Sequence, residues 1–202
     1  MPTPLLIGLS GKAGSGKSTA ADYLTEFYGY VQFAFAGALK EVVQTAFRFT
    51  DAQMTVGKEV KDPRVGKSPR WCLQHFGSAF REVWPPVWIS NLRREILDFL
   101  AINGQRPIVV TDVRFQDEAE ALKRMGAVLV RLGRDKGHRL EACATGVPGH
   151  VSETDLDGWE GWEAGRGNHV IDNNGTMDNL YCCLDAVLAM EADKAELAKA
   201  AG

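Results

Sequence analysis

Eight residues near the amino end, Gly11-Lys12-Ala13-Gly14-Ser15-Gly16-Lys17-Ser18, fit the spacing GxxxxGK[ST] at every fixed position. Glycines at those places let backbone N–H groups turn inward around a phosphate, and a following helix points its positive end at the same spot. Lys17 adds a full positive charge. The Ser18 hydroxyl is placed to hold Mg²⁺ bridging the outer phosphates. An apolar run, Leu5 to Leu9, precedes the loop, and a helix-compatible stretch, Thr19 to Tyr28, follows it. A glycine-rich turn with an incidental lysine would lack that strand–loop–helix frame. The implied chemistry is binding of a nucleoside triphosphate.

A second set of charged residues sits where apolar runs end, and in an open α/β sheet ligands bind beyond the carboxyl ends of the strands. Lys40 follows the run ending in Ala36-Gly37, and Asp112-Val113-Arg114 closes the run from Pro107 to Thr111. Glu118 lies four residues beyond Arg114, the spacing of neighbouring turns on a helix. Arg131, Arg134 and Arg139 follow the next run. Asp112 serves either as a cap of the following turn or as a ligand of substrate or of Mg²⁺-bound water. Arg114 and Glu118 form either an exposed ion pair, worth under about 1 kcal/mol, or part of a site. His75, His138, His150 and His169 show no paired ligand spacing. His150-x-Ser152-Glu153 has no nucleophile elbow around it.

The elements that must position these groups alternate strand and helix, which predicts an α/β fold with a parallel sheet flanked by helices. Strands are expected at Leu5–Leu9, Tyr30–Phe35, Pro107–Thr111, Ala127–Leu132 and His169–Ile171. Helices are expected from Thr19, Gly37, Arg70, Pro85-Pro86, Asp117 and Thr176, the last extended by the Ala, Lys and Glu tail after Glu191. Residues 50–69 are polar and read as a mobile excursion. Residues 133–167 read as a lid or binding loop.

With 202 residues the chain suits one domain, and a net charge of −3 argues against a dedicated nucleic-acid binder. Cys72, Cys143, Cys182 and Cys183 lack zinc spacing and read as reduced thiols. No apolar run approaches a membrane span. A cytoplasmic protein is expected.

A hydroxyl acceptor calls for a carboxylate base, whereas a phosphate acceptor calls for extra cations to bring two anions together. The segment Phe33 to Lys40 offers a lysine and no carboxylate, and Arg70 and Arg114 add charge, so a phosphate acceptor is favoured. Several stretches resemble the phage-type deoxynucleoside monophosphate kinases of the phosphate-loop superfamily. They are Gly8-Leu9-Ser10-Gly11 through Asp22, Phe35-Ala36-Gly37-Ala38-Leu39-Lys40, Arg70-Trp71 with Gln74 and Phe76-Gly77, and Val87-Trp88. Asp112-Val113-Arg114-Phe115-Gln116-Asp117-Glu118, Met125-Gly126-Ala127, His150-x-Ser152-Glu153 and Val170-Ile171-x-Asn173-Asn174-Gly175-Thr176 complete the likeness.

The resemblance implies a three-layer phosphate-loop sandwich forming a single kinase domain. Its core would be 4–48, 105–132 and 168–190, with a monophosphate-binding insertion at about 49–104 and a lid at about 133–167. It implies transfer of a phosphoryl group from ATP to a deoxynucleoside monophosphate, in deoxynucleotide biosynthesis. Gly14, Ser15, Gly16, Lys17, Ser18 and Thr19 would hold the ATP phosphates, and Asn174 and Gly175, within Asn173–Thr176, would border adenine. Lys40, Arg70, Gly77, Trp88, Asp112, Arg114 and Glu118 would surround the acceptor. Lys17, Arg114 and Arg134 would carry catalysis, and Ser18 and Asp112 would serve Mg²⁺. Trp88 also falls on an apolar helical face and reads equally as core. ATP and the monophosphate are the expected partners, with a homodimer entertained and no nucleic acid or membrane. A hydroxyl kinase such as dephospho-coenzyme A kinase, whose opening glycine-rich stretch looks alike, and a nucleotide-switched ATPase or binding protein are the rival readings.

Overall fold

The computed structural model describes residues 5–135, 154–162 and 168–200. Alternation along the strands builds two cores, one on each face of the sheet. In β1 (Leu6–Ser10), Leu6 faces one core while Ile7 and Leu9 sit in the other. In β3 (Ile108–Val113), Ile108 and Val110 face the first core and Val109 the second. This period of two is what a strand buried on both faces requires. The remaining strands are β2 (Val31–Phe33), β4 (Val128–Gly133) and β5 (His169–Asp172). All pairings are parallel, in the order β2-β3-β1-β4-β5. β1 therefore lies at the centre, where connections leave toward both edges, and its carboxyl end opens into the crevice of the switch point.

One face is covered by α1 (Lys17–Tyr28) and α7 (Met177–Ala200). Tyr23 and Tyr28 both donate to Asp185, at 2.7 and 2.6 Å, and Tyr23 stacks on Tyr181. The other face carries α2 (Gly37–Phe47), α4 (Pro69–Val83), α5 (Val87–Asn103) and α6 (Gln116–Arg124). α4 starts as its sequence directs, with Pro69 at the first helical position and the Ser68 hydroxyl accepting from the Trp71 amide.

The stretch 50–69, read from its polarity as a mobile excursion, is packed and internally hydrogen-bonded. Thr50 and Gln53 form a capping box that starts a short helix, α3 (Asp51–Met54), and Met54 enters the first core. Asp62 is buried, accepting from the Arg64 amide and guanidinium and from Gln53. The described part of 133–167 is likewise anchored, since Leu156 and Trp159 are buried in the first core. β2 stops at Phe33, short of the expected Phe35, because the next amides turn to a side chain instead of the ladder, as described below. Arg139, Cys143 and His150-x-Ser152-Glu153 lie outside the described residues. Among the described residues no helix is long and apolar enough to cross a membrane.

Candidate active site

The phosphate loop joins β1 to α1. Its glycines adopt positive φ, 145° at Gly11, 74° at Gly14 and 100° at Gly16. At Gly16 the need for glycine is steric as well, since a Cβ would lie 2.3 Å from Asn173 Nδ2. That amide donates to the Ser15 carbonyl at 2.9 Å, tying the loop to the turn after β5. A Cβ on Gly11 would meet the Leu132 carbonyl at 2.5 Å, so β4 closes the other side. The result is a backbone cradle at a helix amino end with no acidic residue in the first turn of α1. Lys17 Nζ donates to the carbonyls of Gly11 and Lys12, at 2.6 and 2.9 Å, and so lies folded over the loop. Ser15 Oγ is buried with no hydrogen-bond partner among the described residues. Ser18 is exposed at the second position of α1, beside Thr19.

These donors fit Mg²⁺ brought in by a triphosphate. Among the described residues there is no cluster of three or more His, Cys, Asp and Glu that could cage a cation. A hydroxyl supplemented by phosphate oxygens and water is the coordination Mg²⁺ favours.

Beside the loop lies a small cleft lined by Ser10, Gly11, Lys12, Arg114, Arg131 and Asp157, among others. Asp157 bridges Lys12 Nζ at 2.8 Å and an Arg131 guanidinium nitrogen at 2.6 Å. Burial pushes its pKa up, but the hydrogen bonds from Lys12 and Arg131 prevail and hold it below the usual carboxylate range.

On the other side of Arg114 opens a larger pocket of about 230 Å³. α2 supplies Lys40, α4 supplies Arg70 and Gly77, α5 supplies Trp88, and the β3–α6 junction supplies Asp112, Arg114 and Glu118. All seven residues that the sequence suggested for an acceptor therefore line one cavity. Arg114 lines both this pocket and the cleft at the phosphate loop.

Both carboxylates of the pocket are engaged with protein donors. Asp112 accepts from the Phe35 amide at 2.7 Å on one oxygen and from the Ala36 amide at 3.0 Å on the other. It caps a corner, as the plainer reading of its position had it, but the corner lies before α2 and not after its own strand. This capture turns the chain out of β2 and starts α2. Glu118 accepts from the Arg114 and Phe115 amides, at 2.9 and 3.1 Å, and pairs with Arg81. The Glu118 side chain is 4% exposed, so its pair with Arg81 is no surface ion pair. Burial, then the neighbouring Asp112 carboxylate, push the Glu118 pKa up to about 8. Trp88 bears out its core reading and also stands at the pocket wall. It is buried in the first core, donates from Nε1 to the Gly77 carbonyl at 3.2 Å, and still lines the pocket.

The sequence did not point to Lys58 or Arg81. Lys58 lies in the stretch read as an excursion, and its carbonyl accepts from the Arg70 amide at 2.9 Å. Desolvation, then the charges of Arg70, Lys40 and Arg114, lower the Lys58 pKa. Arg81 stands eleven residues beyond Arg70, three turns along one face of α4, and extending that stripe would have found it. Asp157 had no local signal at all.

Arg134 follows β4 and lines neither cleft. Asn174 holds the turn after β5, with Oδ1 accepting from the Asp135 amide at 2.9 Å and Nδ2 donating to Asp172 at 2.6 Å. It and Gly175 also stand apart from these two clefts.

No family model matches the chain. A protein of Acanthamoeba polyphaga mimivirus named "Putative deoxynucleotide monophosphate kinase" is 30% identical over 190 residues, spanning 88% of this chain and 92% of that one. Among solved structures, a sugar kinase from Janibacter sp. HTCC2649 matches 93% of this chain and 95% of its own at a TM-score of 0.53, with 16% identity. A gluconokinase from Sinorhizobium meliloti 1021 matches 98% of each chain at 0.52, with 17% identity. The structural likeness shows the fold, a parallel sheet flanked by helices as in phosphate-loop kinases.

Proposed function

The chain belongs to the deoxynucleotide monophosphate kinase family, and we propose that it moves the γ-phosphoryl group of ATP onto a deoxynucleoside 5′-monophosphate, releasing ADP and the diphosphate. The observation that carries this reading is the pocket beside the phosphate loop. Its wall holds five basic side chains, Lys40, Lys58, Arg70, Arg81 and Arg114, against two carboxylates, with Glu59 and Asp117 pairing Arg70 and Arg81 from outside the wall. Bringing a second polyanion up to ATP requires such a surplus of cations.

The state of the carboxylates supports a phosphate over a hydroxyl acceptor. A hydroxyl acceptor needs a base within reach of its proton. Asp112 spends both oxygens on backbone amides, and Glu118 is enclosed by two amides and Arg81. A monophosphate oxygen is already anionic and needs no proton removed.

In this scheme the loop amides and Lys17 hold and neutralise the transferring group. Lys17 exchanges the Gly11 and Lys12 carbonyls for phosphate oxygens. Ser18 would hold Mg²⁺, with Asp112 as an outer partner, and the ion would supply charge neutralisation at the outer phosphates. Arg70, Lys58 and Lys40 hold the acceptor phosphate. Arg114, shared by the two clefts, faces the point where the phosphates meet, and Arg134 completes the clamp from the lid side. Gly77 and Trp88 shape the nucleoside end of the pocket, and the Asn174-Gly175 turn borders adenine.

The test is ATP-dependent ADP release across a panel of acceptors: the four deoxynucleoside monophosphates, ribonucleotides, free nucleosides and dephospho-coenzyme A. Release that depends on a deoxynucleoside monophosphate is expected. Release driven only by hydroxyl acceptors, or slow hydrolysis indifferent to any acceptor, would contradict the proposal.

A further inference from the structure

We infer that Gln74 reads the base of the acceptor nucleotide, pairing its side-chain amide with a hydrogen-bonding edge of the base. The inference rests on the pocket being the monophosphate site. α4 presents a continuous face to that pocket, with Arg70, Gln74 and Ser78 four residues apart and Leu73, Gly77 and Arg81 on the adjoining row. Along this face the cation at Arg70 comes first and the amide one turn later, the order in which a nucleotide presents phosphate and then nucleoside.

Gln74 is singled out by what its neighbours already do. The carboxylates are engaged with backbone amides, and the indole N–H of Trp88 is spent on Gly77. Phe35, Leu39, Leu73 and Phe115 offer apolar surface. The basic groups suit phosphate. Among the described lining side chains only Gln74 and Ser78 are polar and uncharged along their whole length. Gln74 Oε1 is shielded from solvent and has no hydrogen-bond partner among the described residues. Buried acceptors are rarely left unpaired, and turning the amide about its last side-chain bond would bring this one to the pocket that Gln74 lines, to meet a donor on the ligand. An amide places a donor beside an acceptor, the pattern that glutamine uses toward the amino and ring-nitrogen edge of adenine. Turned over, it meets a keto and N–H edge equally well. Nothing among the described residues holds Oε1 in one sense, so Gln74 accommodates bases of either polarity while still requiring a base.

Gln74→Met and Gln74→Leu test this with the four deoxynucleoside monophosphates and with base-free 2-deoxyribose 5-phosphate as acceptors. The expected result is a fall of about tenfold or more in kcat/KM for the nucleotides the enzyme accepts, carried by KM. KM for ATP and the rate on the base-free acceptor should stay within about twofold. Because the variants remove an unpaired buried acceptor, the melting temperature of the ligand-free protein should hold or rise. An unchanged kcat/KM on the nucleotides, an equal fall on the base-free acceptor, or a lowered melting temperature showing that Gln74 serves the fold would overturn the inference. A wild-type enzyme with no activity on any nucleotide would instead overturn the reading of the site beneath it.

Discussion

The phosphate loop and the acceptor pocket meet at Arg114 yet are built in opposite ways. The loop is eight consecutive residues between one strand and one helix, and the fold around it mainly holds it still, through the Asn173 amide and the Leu132 carbonyl. The pocket draws on α2, the 50–69 stretch, α4, α5 and the β3–α6 junction, and exists only once those pack together. Local chemistry thus makes the triphosphate site and tertiary chemistry makes the acceptor site. Substitutions in the first should strike turnover and spare the fold, while those in the second should mix binding with stability.

The largest effect separates the two directly. Lys17→Ala should lower kcat by at least about a hundredfold, the scale for removing a preorganised charge from a transferring group. Its circular dichroism and melting temperature should match the wild type, because the Lys17 bonds to the Gly11 and Lys12 carbonyls lie within the loop itself. Arg114→Ala comes next. Removing one charge-assisted contact should raise KM for the monophosphate about 10- to 100-fold, with KM for ATP little changed, as steady-state kinetics would show. Equal effects on both substrates would erase the distinction between the sites.

Asp112→Asn probes the tertiary side. One of its two oxygens becomes an NH₂ group facing a backbone N–H. A loss of about 1–3 kcal/mol is expected for the orphaned donor, read as a lower denaturation midpoint. The most specific effect is on pH dependence. The folded pKa of Glu118 lies near 8, above its ordinary value of 4.5. Its contribution to stability is therefore fully present below about pH 4.5 and is lost as pH rises through about 8. Glu118→Gln, which cannot titrate, should show a flatter decline of melting temperature over that window than the wild type.

The same contrast governs what could be read from the residues alone. Gly11 to Ser18 carry their own geometry, so the loop and its flanking elements were legible to within a few residues. α4 and α5 were legible because Ser68-Pro69 and Asn103-Gly104 mark ends chemically. Lys40, Asp112, Arg114 and Glu118 stood out at strand ends and Arg70 by its charge, but Gly77 and Trp88 joined them only through resemblance, because no spacing rule relates positions on separate elements. Lys58 and the burial of Asp62 were missed, since polar composition conceals a segment whose order comes from a capping box and a buried carboxylate. The early end of β2 was missed for a related reason. Its cause, Asp112, lies 77 residues from Phe35.

The central claim is that two polyanions meet at Arg114, and a bisubstrate analogue joining adenosine to a deoxynucleoside through five phosphates tests it most directly. Calorimetric titration should give one molecule bound per chain, competitive with both ATP and the monophosphate, and weakened by Lys17→Ala and Arg114→Ala alike. Binding that competes with ATP alone and ignores Arg114→Ala would contradict the account.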